Sequence, residues 1–173
     1  MKYDKEAATR YAQSRNRELD SSDYIVELLL KIVSAQDVID TILDIGCGPG
    51  FYGQNLGIEL DRGITIHLLD HSPAMLFLAK KQCAGLPHMK LQLGDICSMP
   101  YSTATFTMCY AINVLHQVQN YAVALQQIDR VLRPGGFFVL FTPSRNRLRE
   151  FPLFAANLKL APRDAFQNTS WGD

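Results

Sequence analysis

The spacing of apolar residues changes near residue 41, and the change divides the chain into two kinds of pattern. Residues 5–20 read as a polar helix rich in Ala and Arg. Ser21, Ser22 and Asp23 then offer an N-cap, since short oxygen-bearing side chains accept from the first free N–H groups of a helix. In the helix that follows, Ile25, Leu28, Leu29, Ile32 and Val33 recur at i, i+3, i+4, i+7 and i+8. That spacing makes one apolar stripe facing a core.

From Thr41 onward, short apolar runs at 42–45, 64–69, 89–93, 106–112 and 137–141 alternate with helical or mixed segments. Short, continuously apolar strands suit a parallel sheet covered on both faces. Between them, residues 73–83 carry Met75, Leu76, Leu78 and Ala79 on a helix capped by Ser72. Residues 121–132 carry Leu125, Ile128, Val131 and Leu132, and Pro134, Gly135 and Gly136 predict a helix stop followed by a turn. Alternating strands and helices predict an α/β fold with right-handed crossovers. At 173 residues the chain is long enough for one domain around one core.

Composition narrows the function classes. The 17 basic and 17 acidic residues cancel, so the clustered basic face that nucleic acid requires is not expected. Arg145, Arg147 and Arg149 lie beside Glu150 and read as a solvated face. The N-terminal residues lack the apolar stretch of a secretory signal. The longest apolar runs fall far short of the ~20 residues that cross a bilayer, so a cytoplasmic protein with no membrane span is expected. Cys47, Cys83, Cys97 and Cys109 form no Cys-x-x-Cys motif, and no histidines cluster near them. Reduced thiols without a metal are the better reading.

The most informative stretch is Ile42-Leu43-Asp44-Ile45-Gly46-Cys47-Gly48-Pro49-Gly50, an apolar strand entering a glycine-rich turn, with a helix expected from Phe51. Glycines there let the backbone turn sharply and approach a ligand, and ligands of open α/β sheets bind outside the carboxyl ends of the strands. A dinucleotide loop of the G-x-G-x-x-G type would need glycine at position 51, which is Phe. Nor does a pyrophosphate explain Asp44 just before the glycines; a ligand carrying an ammonium and a sulfonium does. Asp70 closes the second run, where an acid can accept both hydroxyls of a ribose. Asp95 and Ile96 follow the third run, and Asp95 can accept from an adenine amino group. Asn113 and His116 follow the fourth, and Arg130 to Leu140 reads RVLRPGGFFVL.

Over about residues 40–143, these features in this order resemble the class I S-adenosylmethionine-dependent methyltransferases, in particular the small-molecule branch that includes the ubiquinone and menaquinone biosynthesis enzymes. The resemblance implies a three-layer Rossmann-like methyltransferase fold with a mainly parallel sheet. It implies an N-terminal helical segment, 1–38, over the cofactor cleft, a cofactor-binding core, 39–143, and a C-terminal segment, 144–173, all in one domain. The cofactor implied is S-adenosyl-L-methionine and the substrate a small molecule. Asp44, Gly46, Cys47, Gly48 and Gly50 would hold the methionyl end, Asp70 the ribose, and Asp95 with Ile96 the adenine. Asn113 would lie near the methionyl group, His71 where the family often packs an apolar residue on the adenine, and Met75 beside the cofactor. Tyr3 and Tyr11 would belong to a helix folded over it.

Several readings compete. A strand-end carboxylate can simply cap the next helix, so Asp44, Asp70 and Asp95 point to a ligand jointly rather than singly. His116 is read as a general base, since neutral imidazole removes protons near neutral pH, against a plain loop residue. Met99, Tyr101 and Met108 are read as core. The fourth run begins Phe106-Thr107 where that branch usually has Phe-Asp, so a common structural carboxylate is missing. After the fifth run the family continues with a helix and an antiparallel hairpin. Residues 151–160 suit the helix, but the hairpin is missing or truncated. The fifth strand would then be an edge without guarding charges, to be covered by a second copy, another protein or residues 144–173 folding back. A non-catalytic partner subunit or scaffold is the alternative function, and an NAD-dependent oxidoreductase a more distant one.

Overall fold

A computed structural model describes residues 4–18, 24–36, 38–60 and 63–141. Five strands, β1 (Thr41–Ile45), β2 (Thr65–Asp70), β3 (Met89–Leu93), β4 (Phe106–Ile112) and β5 (Leu132–Phe141), form one sheet in the order β3-β2-β1-β4-β5. Every pairing is parallel. The helices are α1 (Lys5–Glu18), α2 (Tyr24–Ser34), α3 (Phe51–Glu59), α4 (Pro73–Gln82) and α5 (Tyr121–Val131), with a 3₁₀ turn at Leu115–Gln117.

Three layers result from which residues are apolar on each side of the strands. On one face Ile42, Ile66, Leu68, Met108 and Tyr110 pack against Ile25, Val26, Leu29 and Val33 of α2, Tyr52 and Leu56 of α3, and Ala79 of α4. On the other, Leu43, Ile45, Leu69, Cys109 and Ala111 meet Ala124, Ile128 and Val131 of α5. The three-layer expectation is therefore met, and β1 and β4 are buried on both faces. β3 is not. It is the outer strand, no helix joins it to β4, and Leu91 and Leu93 stand 37% and 51% exposed.

Helix ends follow local chemistry. Ser72 accepts from the Met75 N–H at 3.3 Å and Pro73 occupies the first turn of α4, where a missing N–H costs nothing. Asn120 caps α5 by accepting from the Val123 N–H at 3.3 Å. The caps expected at Ser21, Ser22 and Asp23 lie outside the described residues, as do Tyr3, the 145–149 arginines and the helix expected at 151–160.

Two expectations are refined at β5. Helix α5 stops at Val131 because Leu132 is extended, and β5 begins at once. The Pro134-Gly135-Gly136 turn bulges from the ladder instead of preceding it: Phe106 pairs with Leu132 but Met108 with Phe137, and Gly135 takes φ 81°. The paired stretch from Phe137 to Phe141 matches the expected run. Among the described residues the far edge of β5 has no partner strand.

The carboxylate missing at position 107 has a substitute. Thr107 Oγ1 accepts from the N–H groups of Asp40 and Thr41, both at 3.1 Å, and donates to the Thr41 carbonyl at 2.9 Å. Asp40 meets Arg133 at 2.9 and 3.1 Å. Its carboxyl is held below the usual range by the Thr41 hydroxyl first and then by the guanidinium. A hydroxyl and a neighbouring ion pair tie β1, β4 and β5 at the end of the sheet away from the glycine loop.

Candidate functional site

Loops after β1, β2, β3 and β4 emerge at one end of the sheet, and hydrogen bonds join the first three. Gly46 and Cys47 donate their N–H groups to the Leu69 carbonyl at 2.8 and 3.0 Å. Gly48 donates to Asp70 Oδ2 at 2.9 Å, and the N–H of Ser72 to Asp70 Oδ1 at 2.8 Å. The Gly94 N–H reaches the Asp70 carbonyl at 3.0 Å. Asp70 is thus a buried junction between three loops. Each carboxylate oxygen has two lone-pair directions, so acceptor capacity remains for a ligand hydroxyl.

The three glycines of the loop serve different ends, although all have positive φ, 68°, 55° and 88°, which glycine adopts without a Cβ penalty. A Cβ at Gly46 would lie 2.4 Å from Val114 Cγ2, and one at Gly50 would lie 3.0 Å from the Ala79 Cβ. These two allow protein to pack on protein. At Gly48 the nearest atom would be Tyr11 Cε1, 4.0 Å away, so this glycine presents open backbone. Tyr11 arrives there on α1, which packs along α4.

Asp44 behaves differently from Asp70. It is 2% exposed and points to the α3 side of the sheet, where it pairs in register with Tyr110 of β4. Burial pushes its carboxyl up to about 7; Tyr110 and the Gly53 amide oppose the rise, and the nearby Asp70 adds to it. A Cβ at Gly53 would sit 2.3 Å from Leu68 Cδ2 and 3.5 Å from Asp44 Oδ2, so it is the close approach of α3 to Leu68 of β2 that requires a glycine there. Burial also raises the Tyr110 hydroxyl and the Cys47 thiol, leaving both neutral.

The remaining candidates lie around this junction. His71 is exposed, with Nδ1 3.6 Å from Asp70 Oδ1. Met75 is buried in the first turn of α4. Asp95 accepts from the Cys97 N–H at 2.7 Å and its carbonyl from Ser98 at 3.0 Å, which closes a tight turn around the half-buried Ile96. Asn113 follows β4 with φ 55°, an uncommon conformation outside glycine that gathers at ligand sites. Its N–H donates to the Phe141 carbonyl at 2.9 Å, while its buried Oδ1 has no hydrogen-bond partner among the described residues. His116 is half-buried on the 3₁₀ turn. As expected, Met99 and Met108 are core, and Tyr101 stacks edge-on with His67 and Phe106 at 5.5 and 4.8 Å between ring centres. All four cysteines are free, and no metal-ligating cluster occurs among the described residues.

Sequence reasoning missed Tyr110, Gly53 and Val114. A hydroxyl inside the apolar 106–112 run, and a small residue in the first turn after the glycines, were the available signals.

Residues 43–140 match the methyltransferase domain family, and the chain belongs to it. It is 31% identical over 111 residues to a malonyl-[acyl-carrier protein] O-methyltransferase of Serratia marcescens, covering 64% of this chain and 41% of that protein. It is also 31% identical over 109 residues to a demethylmenaquinone methyltransferase of Staphylococcus aureus, covering 63% and 45%. The match therefore spans less than half the length of either relative. Among solved structures, S-adenosylmethionine-bound CalS10, an amino pentose methyltransferase from Micromonospora echinaspora, superposes with a TM-score of 0.64 at 24% identity, over 76% of this chain and 55% of that one. That likeness speaks for the fold. The class is thus the S-adenosylmethionine-dependent methyltransferases with a Rossmann-like sheet.

Proposed function

We propose that this protein transfers a methyl group from S-adenosylmethionine to a small-molecule acceptor. The observation that carries the reading is the pairing of the open backbone at Gly48 with the buried Asp70 carboxylate that its N–H holds in place. A ribose fits an acid so fixed, and the unpartnered Asn113 Oδ1 calls for a donor of the kind an ammonium supplies. Asp95 and Ile96 then lie on the adenine side, and His71 and Met75 flank the same cleft.

The cofactor supplies a methyl group made electrophilic by a positive sulfur, so the protein needs no nucleophile of its own. Its residues contribute alignment and exclusion of water. Asp70 and Asn113 hold donors of the bound molecule, and the Tyr11 ring covers the loop from the solvent side. His116 accepts the proton that an oxygen or nitrogen acceptor must lose. One relative is named for a quinone and the other for a malonyl group on an acyl carrier protein, which favours an organic metabolite group as acceptor, and the balanced charge gives no footprint for nucleic acid. Free thiols agree with a cytoplasmic setting. Among the described residues no helix is long and apolar enough to cross a membrane. A second copy of the chain, or another protein, along β5 completes the reading, since no described strand pairs with its outer edge.

Incubation with methyl-labelled S-adenosylmethionine and a cell metabolite extract tests it. Label on a small molecule supports the proposal. Tight cofactor binding without transfer favours a partner subunit instead, and label on protein or RNA replaces the acceptor class. Tighter binding of NAD than of S-adenosylmethionine overturns the reading altogether.

A further inference from the structure

The connection from β3 to β4, residues 94–105, contains no helix, yet it carries Asp95 and Ile96. Its shape is held from outside by α5. Arg130 Nη1 donates to the Tyr101 carbonyl at 2.6 Å, and Nη2 to the Met99 carbonyl at 3.0 Å. Gln127, one turn earlier, accepts from Arg130 Nη2 at 2.8 Å and Nε at 3.3 Å, and from the Met99 N–H at 3.3 Å. The two side chains therefore read both polar groups of the Met99 backbone. The end of α5 adds two main-chain bonds, Ala104 N–H to the Arg130 carbonyl at 2.9 Å and Thr105 N–H to the Val131 carbonyl at 2.8 Å.

This use of an arginine is unusual in its economy of targets. Among the described residues Arg130 has no carboxylate partner; its donors go to backbone carbonyls and to a neutral amide. A planar guanidinium presents its N–H groups in a fixed fork, so two carbonyls and the Gln127 amide oxygen fix one orientation. Between the two gripped carbonyls, Pro100 packs on Gly94, with Pro100 Cδ 2.8 Å from where a Cβ would stand. Met99 is buried. Between these anchors the chain has little freedom except in the turn from Asp95 to Ser98, which closes on itself through Asp95.

We propose that Arg130, oriented by Gln127, is a positioning residue that sets the cofactor's base preference by fixing the Asp95–Ile96 turn. The inference rests on the cofactor reading above. Arg130 touches no ligand; it acts through the loop backbone. Removing it leaves Asp95 present but no longer held where an adenine amino group can meet it.

The test compares calorimetric binding of S-adenosylhomocysteine with S-inosylhomocysteine, in which the adenine amino group is replaced by an oxo group. Wild-type protein is expected to prefer the adenine compound by about 10-fold, the value of one well-made hydrogen bond. In Arg130→Met the preference should fall to within about 2-fold, and Arg130→Lys, which keeps donors without the fork, should recover part of it. Hydrogen exchange at the Cys97 and Ser98 amides should quicken in Arg130→Met. If that variant does not fold, Gln127→Ala, which leaves the guanidinium in place but unoriented, should show the same loss in smaller degree. An unchanged base preference in a destabilised variant overturns the positioning role while leaving the cofactor reading intact. Wild-type protein that binds neither compound overturns both.

Discussion

Tyr110 and Asp44 stand directly opposite each other on β4 and β1, two polar side chains on the sheet face that α2 and α3 cover. The pair places an acid deep under α3 with no described cation beside it, and its titration is displaced upward to about 7 by burial above all. The folded protein thus keeps a proton that the unfolded chain releases near the ordinary value of 3.8. Folding takes up a proton between these values, so stability falls as pH rises from about 4 to about 7 and stays at the lower level above that. Asp44→Asn should melt higher than wild type at pH 8, with the gain shrinking toward pH 5. Thermal melts across this range check it, and a pH-independent difference would show that Asp44 is ionised throughout.

Gly46 and Gly48 should respond differently to alanine. Both have left-handed backbone, which costs a non-glycine residue about 1–2 kcal/mol. Gly46→Ala adds a clash with Val114, and overpacking costs a further ~1–3 kcal/mol. Chemical denaturation should therefore find Gly46→Ala the more destabilised. Gly48→Ala should keep more stability and lose more S-adenosylhomocysteine affinity, because its Cβ enters open space. Equal losses of affinity in the two variants would remove the distinction between packing and ligand-facing glycines.

Asp70→Ala deletes the acceptor shared by the Gly48 and Ser72 amides. Charge-assisted bonds to a ligand hydroxyl contribute about 1.5–3 kcal/mol, so S-adenosylhomocysteine affinity should fall roughly 10- to 100-fold. Calorimetric titration reads this directly, and unaltered affinity would take Asp70 out of the site.

Thr107→Val serves as a control far from the cleft. It removes a hydroxyl that accepts from two backbone N–H groups near solvent, at a cost of about 0.5–1.5 kcal/mol. The melting temperature should drop while S-adenosylhomocysteine affinity per folded molecule stays the same. A matching loss of affinity would mean that the two ends of the sheet are coupled.

Much of this architecture was legible because its signals are local. The apolar runs gave the strands, Ser72 and Pro73 gave the start of α4, and Gly46, Gly48 and Gly50 after a strand gave the turn from β1 into α3. What escaped depends on neighbours distant in sequence. The exposure of Leu91 and Leu93 follows from the place of β3 at the rim of the sheet, which is not visible in the 89–93 run itself. Thr107 looked like a lost carboxylate, since nothing in the local sequence reports that its hydroxyl meets the amides of Asp40 and Thr41. Nothing local to Asp44 reports that Tyr110 stands beside it on the neighbouring strand or that the acid lies buried beneath α3.

The glycine loop is fastened to β2 through the Leu69 carbonyl as well as through Asp70. Sliding β2 by one residue against β1 would reverse the faces of its side chains. It would withdraw the Leu69 carbonyl from Gly46 and Cys47, and Asp70 from Gly48. The loop's bonds to β2 therefore exist only in the native alignment of the two strands, so a slip in register costs these bonds as well as the strand pairing. A mispaired chain would be left with loose loop amides and an apolar strand turned toward the wrong layer, and it would find no intermediate position in which to rest.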